Sequence, residues 1–210
     1  MNHRHRLLLF AALLFWCCAL LAFRVVRSHT VTYVFLVWNL FLAAIPAIAA
    51  MLFVHVRSKL ARVAWFLVWL AFLPNAPYIA TDFIHLRTRP GMPLWFDVAL
   101  LLSCAATGIL FAFTSVADVQ SAIAARWGQR IAWTFALAVL GLCGFGIYLG
   151  RFLRWNSWEL ATEPFAKLTY LAGSAAHPMS HPRTIGVTVI YGITLALGYV
   201  AYRVTRASAR

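Results

Sequence analysis

The residues best suited to chemistry lie in the string LPNAPYIATDFIHLRTR, residues 73–89, where an apolar run meets charged surface. Tyr78, Asp82, His85 and Arg89 follow one another at spacings of four, three and four, which on an α-helix puts all four on one face. Ile79, Phe83 and Leu86 take the opposite face. Asn75 precedes Ala76-Pro77. Asn is a preferred helix N-cap and Pro is tolerated in the first turn, so the spacing predicts a helix start there. Asp82 and His85 can carry protons, bind a metal, or act as an oriented base. An ionisable group at membrane depth is a functional candidate by default.

A second polar string, YLGRFLRWNSWE, spans residues 148–159. Arg151 and Arg154 are three apart and share a face if the helix continues. Asn156 and Ser157 add donors and acceptors, and Trp155 and Trp158 sit where aromatic anchors belong. Guanidinium groups form forked bonds to carboxylate or phosphate. An Asp82–Arg151 or Asp82–Arg154 pair would offset the cost of burying either charge. Asp97, at the start of an apolar run, is expected to join them, its simpler role being charge complementarity at a helix N-terminus. The result is a pocket of Asn75, Tyr78, Asp82, His85, Asp97, Arg151, Arg154, Asn156 and Ser157 near one leaflet. As metal ligands Asp82 and His85 are a weak set, because a third would have to come from Asp97, His177 or His181. With Pro178 between them, His177 and His181 read as a solvated loop. Asn39, inside an apolar run, reads as interhelical glue.

These strings must be held by membrane helices. The chain has 210 residues, 63% hydrophobic and only 11% charged, whereas an ordinary soluble domain is about 25% charged. The apolar runs are too long and unbroken for an outer-membrane barrel. The expected fold is all-α: a polytopic transmembrane bundle in one membrane-embedded domain, with six spans at about 7–23, 31–56, 63–80, 94–116, 131–149 and 185–202. The first run has a long core followed by Phe23 and Arg24 rather than small cleavage-site residues, which favours a retained anchor over a cleaved signal. Leu60–Leu73 alone would make about 21 Å of helix, too short to cross, so the third span must continue through Pro74 and Pro77 and is expected to kink there. In the loop 150–184, Trp158, Ala161, Phe165 and Leu168 have the spacing of a short interfacial helix. Cys17, Cys18, Cys104 and Cys143 all lie within apolar runs and read as buried small hydrophobes.

Six spans put both termini on one side. That side collects ten of the 18 Lys/Arg against eight on the other, which favours cytoplasmic termini. Of the five acids, Asp82, Asp97, Glu159 and Glu163 fall on the second side and Asp118 on the first. A net charge of +13 on a soluble domain would point to nucleic acid. Here the basic residues flank apolar spans, where they meet anionic headgroups, and no nucleic-acid motif is present. Nothing in the pattern names a cofactor.

The two strings resemble the signatures of the domain-of-unknown-function 1361 family of bacterial integral membrane proteins. The resemblance rests on Leu73, Pro74, Asn75, Ala76, Pro77, Tyr78, Asp82 and His85, then Gly150, Arg151, Arg154, Asn156, Ser157 and Trp158. It implies a multi-pass protein of the bacterial inner membrane and no particular activity. The residues themselves support three functions. The first is binding or transport of an anionic or lipidic ligand, since discontinuous helices often build midplane sites, with a homodimer compensating for the small size. The second is an intramembrane enzyme acting on lipids, possible metal ligands being Asp82 and His85. The third is a scaffold subunit in which the polar cluster only braces helices.

Overall fold

The computed structural model describes residues 3–153, 162, 165, 169 and 182–208. Among these the chain is helical. The helices are α1 (His3–Ser28), α2 (Phe35–His55), α3 (Lys59–Phe72), α4 (Asn75–Tyr78), a 3-10 helix (Ile79–His85), α5 (Leu94–Trp127), α6 (Gln129–Phe152) and α7 (Pro182–Ser208). Six helical stretches are long and apolar enough to cross a membrane, the third being Lys59–His85 taken as one. The chain is a multi-pass membrane protein.

Most spans outrun their apolar cores. α5 extends from Leu94 to Trp127 where about 94–116 was expected, because Ala and amphipathic residues continue the helix beyond the hydrocarbon. It stops at Gly128, whose φ of +85° ends the helix and turns the chain into α6. Ser58 caps α3, its hydroxyl accepting from the Ala61 amide at 3.4 Å, so the third span starts before residue 63.

α5 is the axis of the bundle. It packs against α1, α2, α4, the 3-10 helix and α6, and it is buried on most faces through small residues such as Ala105, Gly108, Ala112, Ser115 and Ala117. Small residues let helix backbones approach closely where no aqueous hydrophobic effect drives association. α2 meets it with Leu36, Leu40, Ala43, Ala47 and Ala50, all buried. Two hydroxyls inside the apolar layer bond one turn back: Thr107 and Thr114 donate to the carbonyls of Ser103 and Leu110. Ser115 accepts from the indole of fully buried Trp69 at 3.2 Å, tying α3 to α5. The sulfurs of Cys17, Cys104 and Cys143 are buried as expected, whereas Cys18 is exposed on the lipid-facing side of α1.

The segment after α3 departs from the sequence reading. Backbone angles remain helical through Leu73 and Pro74, and the hydrogen bonds change register instead of stopping. Leu73 N–H bonds to Trp69 O at 2.8 Å, Ala76 N–H to Leu73 O at 3.2 Å and Tyr78 N–H to Pro74 O at 3.1 Å. Pro74 rather than Asn75 occupies the N-cap of α4. Asn75 lies in the first turn, and its side-chain amide donates to the Phe72 carbonyl at 3.1 Å, which Ala76 N–H bypasses in favour of Leu73. The Asn thus supplies the partner that a proline-rich step needs within a membrane. The helix then tightens to 3-10 and ends at His85, with Leu86 extended. Arg89 is therefore not on the Asp82 stripe; it lies in an antiparallel bridge with Met92. Because side chains three apart eclipse in a 3-10 helix, Ile79 shares an edge with Asp82 and His85 instead of opposing them.

Candidate functional site

Three elements converge on Asp82, which is 1% exposed on the 3-10 helix. Asn39 of α2 donates to Asp82 Oδ2 at 2.8 Å. Arg151, in the last turn of α6, donates from NH2 to Asp82 Oδ1 at 2.5 Å. Arg151 also donates to Thr81 Oγ1 from Nε at 2.9 Å and from NH2 at 2.6 Å, while the Thr81 hydroxyl donates to Tyr78 O at 2.7 Å. The guanidinium lies 4.6 Å from the centre of the Tyr78 ring, within cation–π range. Its remaining terminal nitrogen, NH1, is 3.2 Å from His85 Nε2. A guanidinium can only donate, so in this contact Nε2 is on the accepting side. His85 is exposed, its ring edge-on to Phe35 at 5.2 Å. The site is thus a carboxylate saturated at depth, an arginine fixed over it, and a histidine on the surface above.

Asp97 lies with a different arginine. Arg24 of α1 makes a forked pair with it, Nε to Oδ1 at 2.7 Å and NH2 to Oδ2 at 3.1 Å, with both side chains at most 2% exposed. Arg24 Cζ is 4.7 Å from the Tyr33 ring centre, and Arg89 Cζ is 5.8 Å from the same ring. The Tyr33 hydroxyl donates to His85 O at 3.0 Å, linking the second ion pair to the rim of the first. Tyr33 is buried with φ of +68°, a conformation uncommon for a bulky residue and held here by Arg24 and Arg89 at its ring and the His85 carbonyl at its hydroxyl.

Of the sequence candidates, the structure brings together Tyr78, Asp82, His85 and Arg151. It places Asn75 one turn back as a backbone partner and Asp97 beside Arg24. Arg154, Asn156 and Ser157 lie outside the described residues, as do Trp155, Trp158, Ala161, Leu168, His177 and His181. Thr162, Phe165 and Thr169 are helical, and Thr169 donates to Phe165 O at 2.8 Å. Sequence reasoning missed Thr81, Arg24 and Tyr33. It assigned Asn39 to helix bonding without finding its partner, Asp82. Arg24 carries a readable signal, being an arginine at the end of a span that must cross near the acid of another. Among the described residues no three His, Cys, Asp or Glu side chains gather in a way that could hold a metal ion, so Asp82 and His85 have no third ligand there.

Comparison with curated proteins and with solved structures gave no match. The family model described as "Protein of unknown function (DUF1361)" matches residues 38–197, a stretch that includes Asn39, Asp82, Asp97 and Arg151. The chain belongs to the DUF1361 family.

Proposed function

We propose that this protein binds an anionic or lipidic ligand at the Arg151–His85 rim, in the inner membrane of a bacterium, with its termini in the cytoplasm. The observation that carries the reading is the posture of Arg151. Asp82 and Thr81 fix the guanidinium from the buried side, and NH1 is left beside an exposed imidazole. A prepositioned arginine loses little conformational freedom when it accepts a phosphate or carboxylate. Arg154, Asn156 and Ser157 follow Arg151 in sequence and are proposed as further ligand contacts, and a homodimer would give so small a bundle a larger binding surface.

Native mass spectrometry from mild detergent tests this. Wild-type protein is expected to retain an anionic adduct that Arg151→Gln loses while keeping its helical content. Equal adducts on both proteins would sink the reading.

A second reading, a bracing cluster in a scaffold subunit, is favoured by the saturation of Asp82: both of its oxygens already have partners from other helices. On that reading Arg151→Gln lowers stability and changes no adduct. The enzyme reading would need further catalytic groups from outside the described residues.

A further inference from the structure

The opposite end of the bundle holds a second basic cluster. At about 1.5 Å per residue, Gln120 lies about 35 Å along α5 from Asp97. A hydrocarbon layer is about 30 Å thick, so the two residues stand near opposite headgroup regions. α6 and α7 pack antiparallel, with Trp133 edge-on to Tyr199 at 6.0 Å and Gly144 against Thr188 and Gly192. Their seam at the Gln120 end carries Trp133, Tyr199, Tyr202, Arg203 and Arg206, with exposed Arg130 three residues before Trp133.

The arginines here lack the carboxylate partners of the three arginines that are ion-paired among the described residues. Arg6, Arg24 and Arg151 are each ion-paired, with Asp118, Asp97 and Asp82 respectively. Among the described residues no carboxylate lies within ion-pair distance of Arg130, Arg203 or Arg206, and Asp118, the acid at this end, is taken by Arg6 through both oxygens. Arg203 is instead fixed by neutral groups. Its NH1 donates to Gln120 Oε1 at 2.5 Å and to the Tyr199 hydroxyl at 3.2 Å, and Tyr199 itself donates to Gln120 Oε1 at 2.6 Å. Its Cζ lies 5.6 Å from the Trp133 ring centre and 6.0 Å from that of Tyr199. Arg206 donates from NH1 to the Tyr202 hydroxyl at 2.9 Å and lies over that ring at 5.9 Å.

Gln120 is 1% exposed, and its Nε2 is buried with no hydrogen-bond partner among the described residues. Turning the amide over would set its NH2 against the donor-only guanidinium of Arg203. The molecule therefore leaves a buried amide nitrogen unsatisfied while holding Arg203 in place. Two arginines with no carboxylate partner among the described residues, prepositioned near a headgroup region and flanked by aromatics, have the chemistry to receive a phosphate-bearing anion.

We propose that the α6/α7 seam at the terminal side binds the phosphate of an anionic phospholipid through Arg203 and Arg206. Arg130 stands at its edge, Trp133 and Tyr202 flank the lipid glycerol region, and Gln120 with Tyr199 positions Arg203. This site is independent of the Arg151 rim, which lies at the other leaflet.

The test is thermal unfolding of the full chain in detergent, titrated separately with phosphatidylglycerol, phosphatidylcholine and inorganic phosphate. Phosphatidylglycerol is expected to raise the midpoint, and the other two to leave it unmoved. Arg203→Gln/Arg206→Gln is expected to weaken the phosphatidylglycerol response by about tenfold or more. Arg57→Gln/Lys59→Gln removes two exposed cations from the same face and should leave the response intact. Gln120→Met keeps the side-chain length and removes the oxygen that holds Arg203. It should weaken the response as well, and it serves if the double arginine variant fails to fold. Equal stabilisation by phosphatidylcholine, or an undiminished response in the Arg203→Gln/Arg206→Gln or Gln120→Met protein, would overturn the proposal. Stabilisation by inorganic phosphate alone would overturn the lipid assignment.

Discussion

Asp97→Ala is expected to destabilise the protein by about 3–5 kcal/mol, the cost of leaving one member of a buried ion pair without its partner. Arg24 and Asp97 are at most 2% exposed, and among the described residues the guanidinium has no second carboxylate; its other hydrogen bonds go to the Thr30 hydroxyl at 3.3 Å and the Thr32 carbonyl at 3.5 Å. The loss should also spread, because Arg24 lies on the ring of Tyr33, and Tyr33 in turn holds the His85 carbonyl. The comparison that isolates charge from packing is Arg24→Met/Asp97→Leu. Replacing both partners by apolar groups removes the pair without orphaning a charge, so the double variant should be markedly more stable than Asp97→Ala. Thermal or denaturant unfolding in one detergent reads all three proteins. An Asp97→Ala midpoint equal to wild type would show that Arg24 is not committed to Asp97.

Gly108→Ala is expected to lower stability by about 1–3 kcal/mol although it adds one methyl group, since overpacking a rigid contact costs that much. A Cβ at residue 108 would fall well inside contact distance of the Ala76 carbonyl oxygen and 3.3 Å from Ile79 Cδ1. The obstacle is backbone, so it cannot swing aside as a side-chain tip would. α5 and α4 would have to separate, and α4 leads directly into the 3-10 helix that carries Asp82. On the other side Gly146 of α6 approaches the same step, where a Cβ would lie 2.5 Å from Pro74 Cβ. The proline step is thus seated between glycines of two helices, and the α6 glycine lies little more than one turn before Arg151. Gly108→Ala should therefore reduce both the unfolding midpoint and the adduct that Arg151 retains. Gly141→Ala, where an added Cβ meets nothing within 4 Å, is the matched control and should change neither. A Gly108→Ala protein as stable as that control would mean that α4 does not rest on α5 as described.

Much of this architecture is legible from residue types. Asp82, His85 and Arg151 stand out because charge is scarce in an apolar chain, and a topology of six spans puts them at one leaflet without any knowledge of contacts. What the periodicity could not supply is hydrogen-bond register. A proline-rich step followed by Ile-Ala-Thr-Asp reads as α-helix or 3-10 helix equally well, and only the tighter winding ends the element at His85 and removes Arg89 from the stripe. Asp97 illustrates a second limit. Its position at the start of α5 explains it locally, so the forked bond to Arg24, 73 residues earlier, leaves no trace in local spacing. Arg24 itself looks like an ordinary span flank. Asn39 was visible as a polar residue among apolar ones, but its partner depended on which face of α2 meets the 3-10 helix. Most helices other than α2 extend past their apolar runs for a related reason: hydropathy locates the hydrocarbon layer, while capping and propensity set where helices stop.

The meeting of two distant segments at Asp82 and Arg151 is tested most directly by a double-mutant cycle. Unfolding free energies of wild type, Asp82→Ala, Arg151→Ala and the double variant, measured in one detergent, give the coupling between the two side chains. The ion pair predicts a coupling of about 1–3 kcal/mol, with the second substitution costing far less than the first. Strictly additive losses would contradict it and would place the carboxylate and the guanidinium apart.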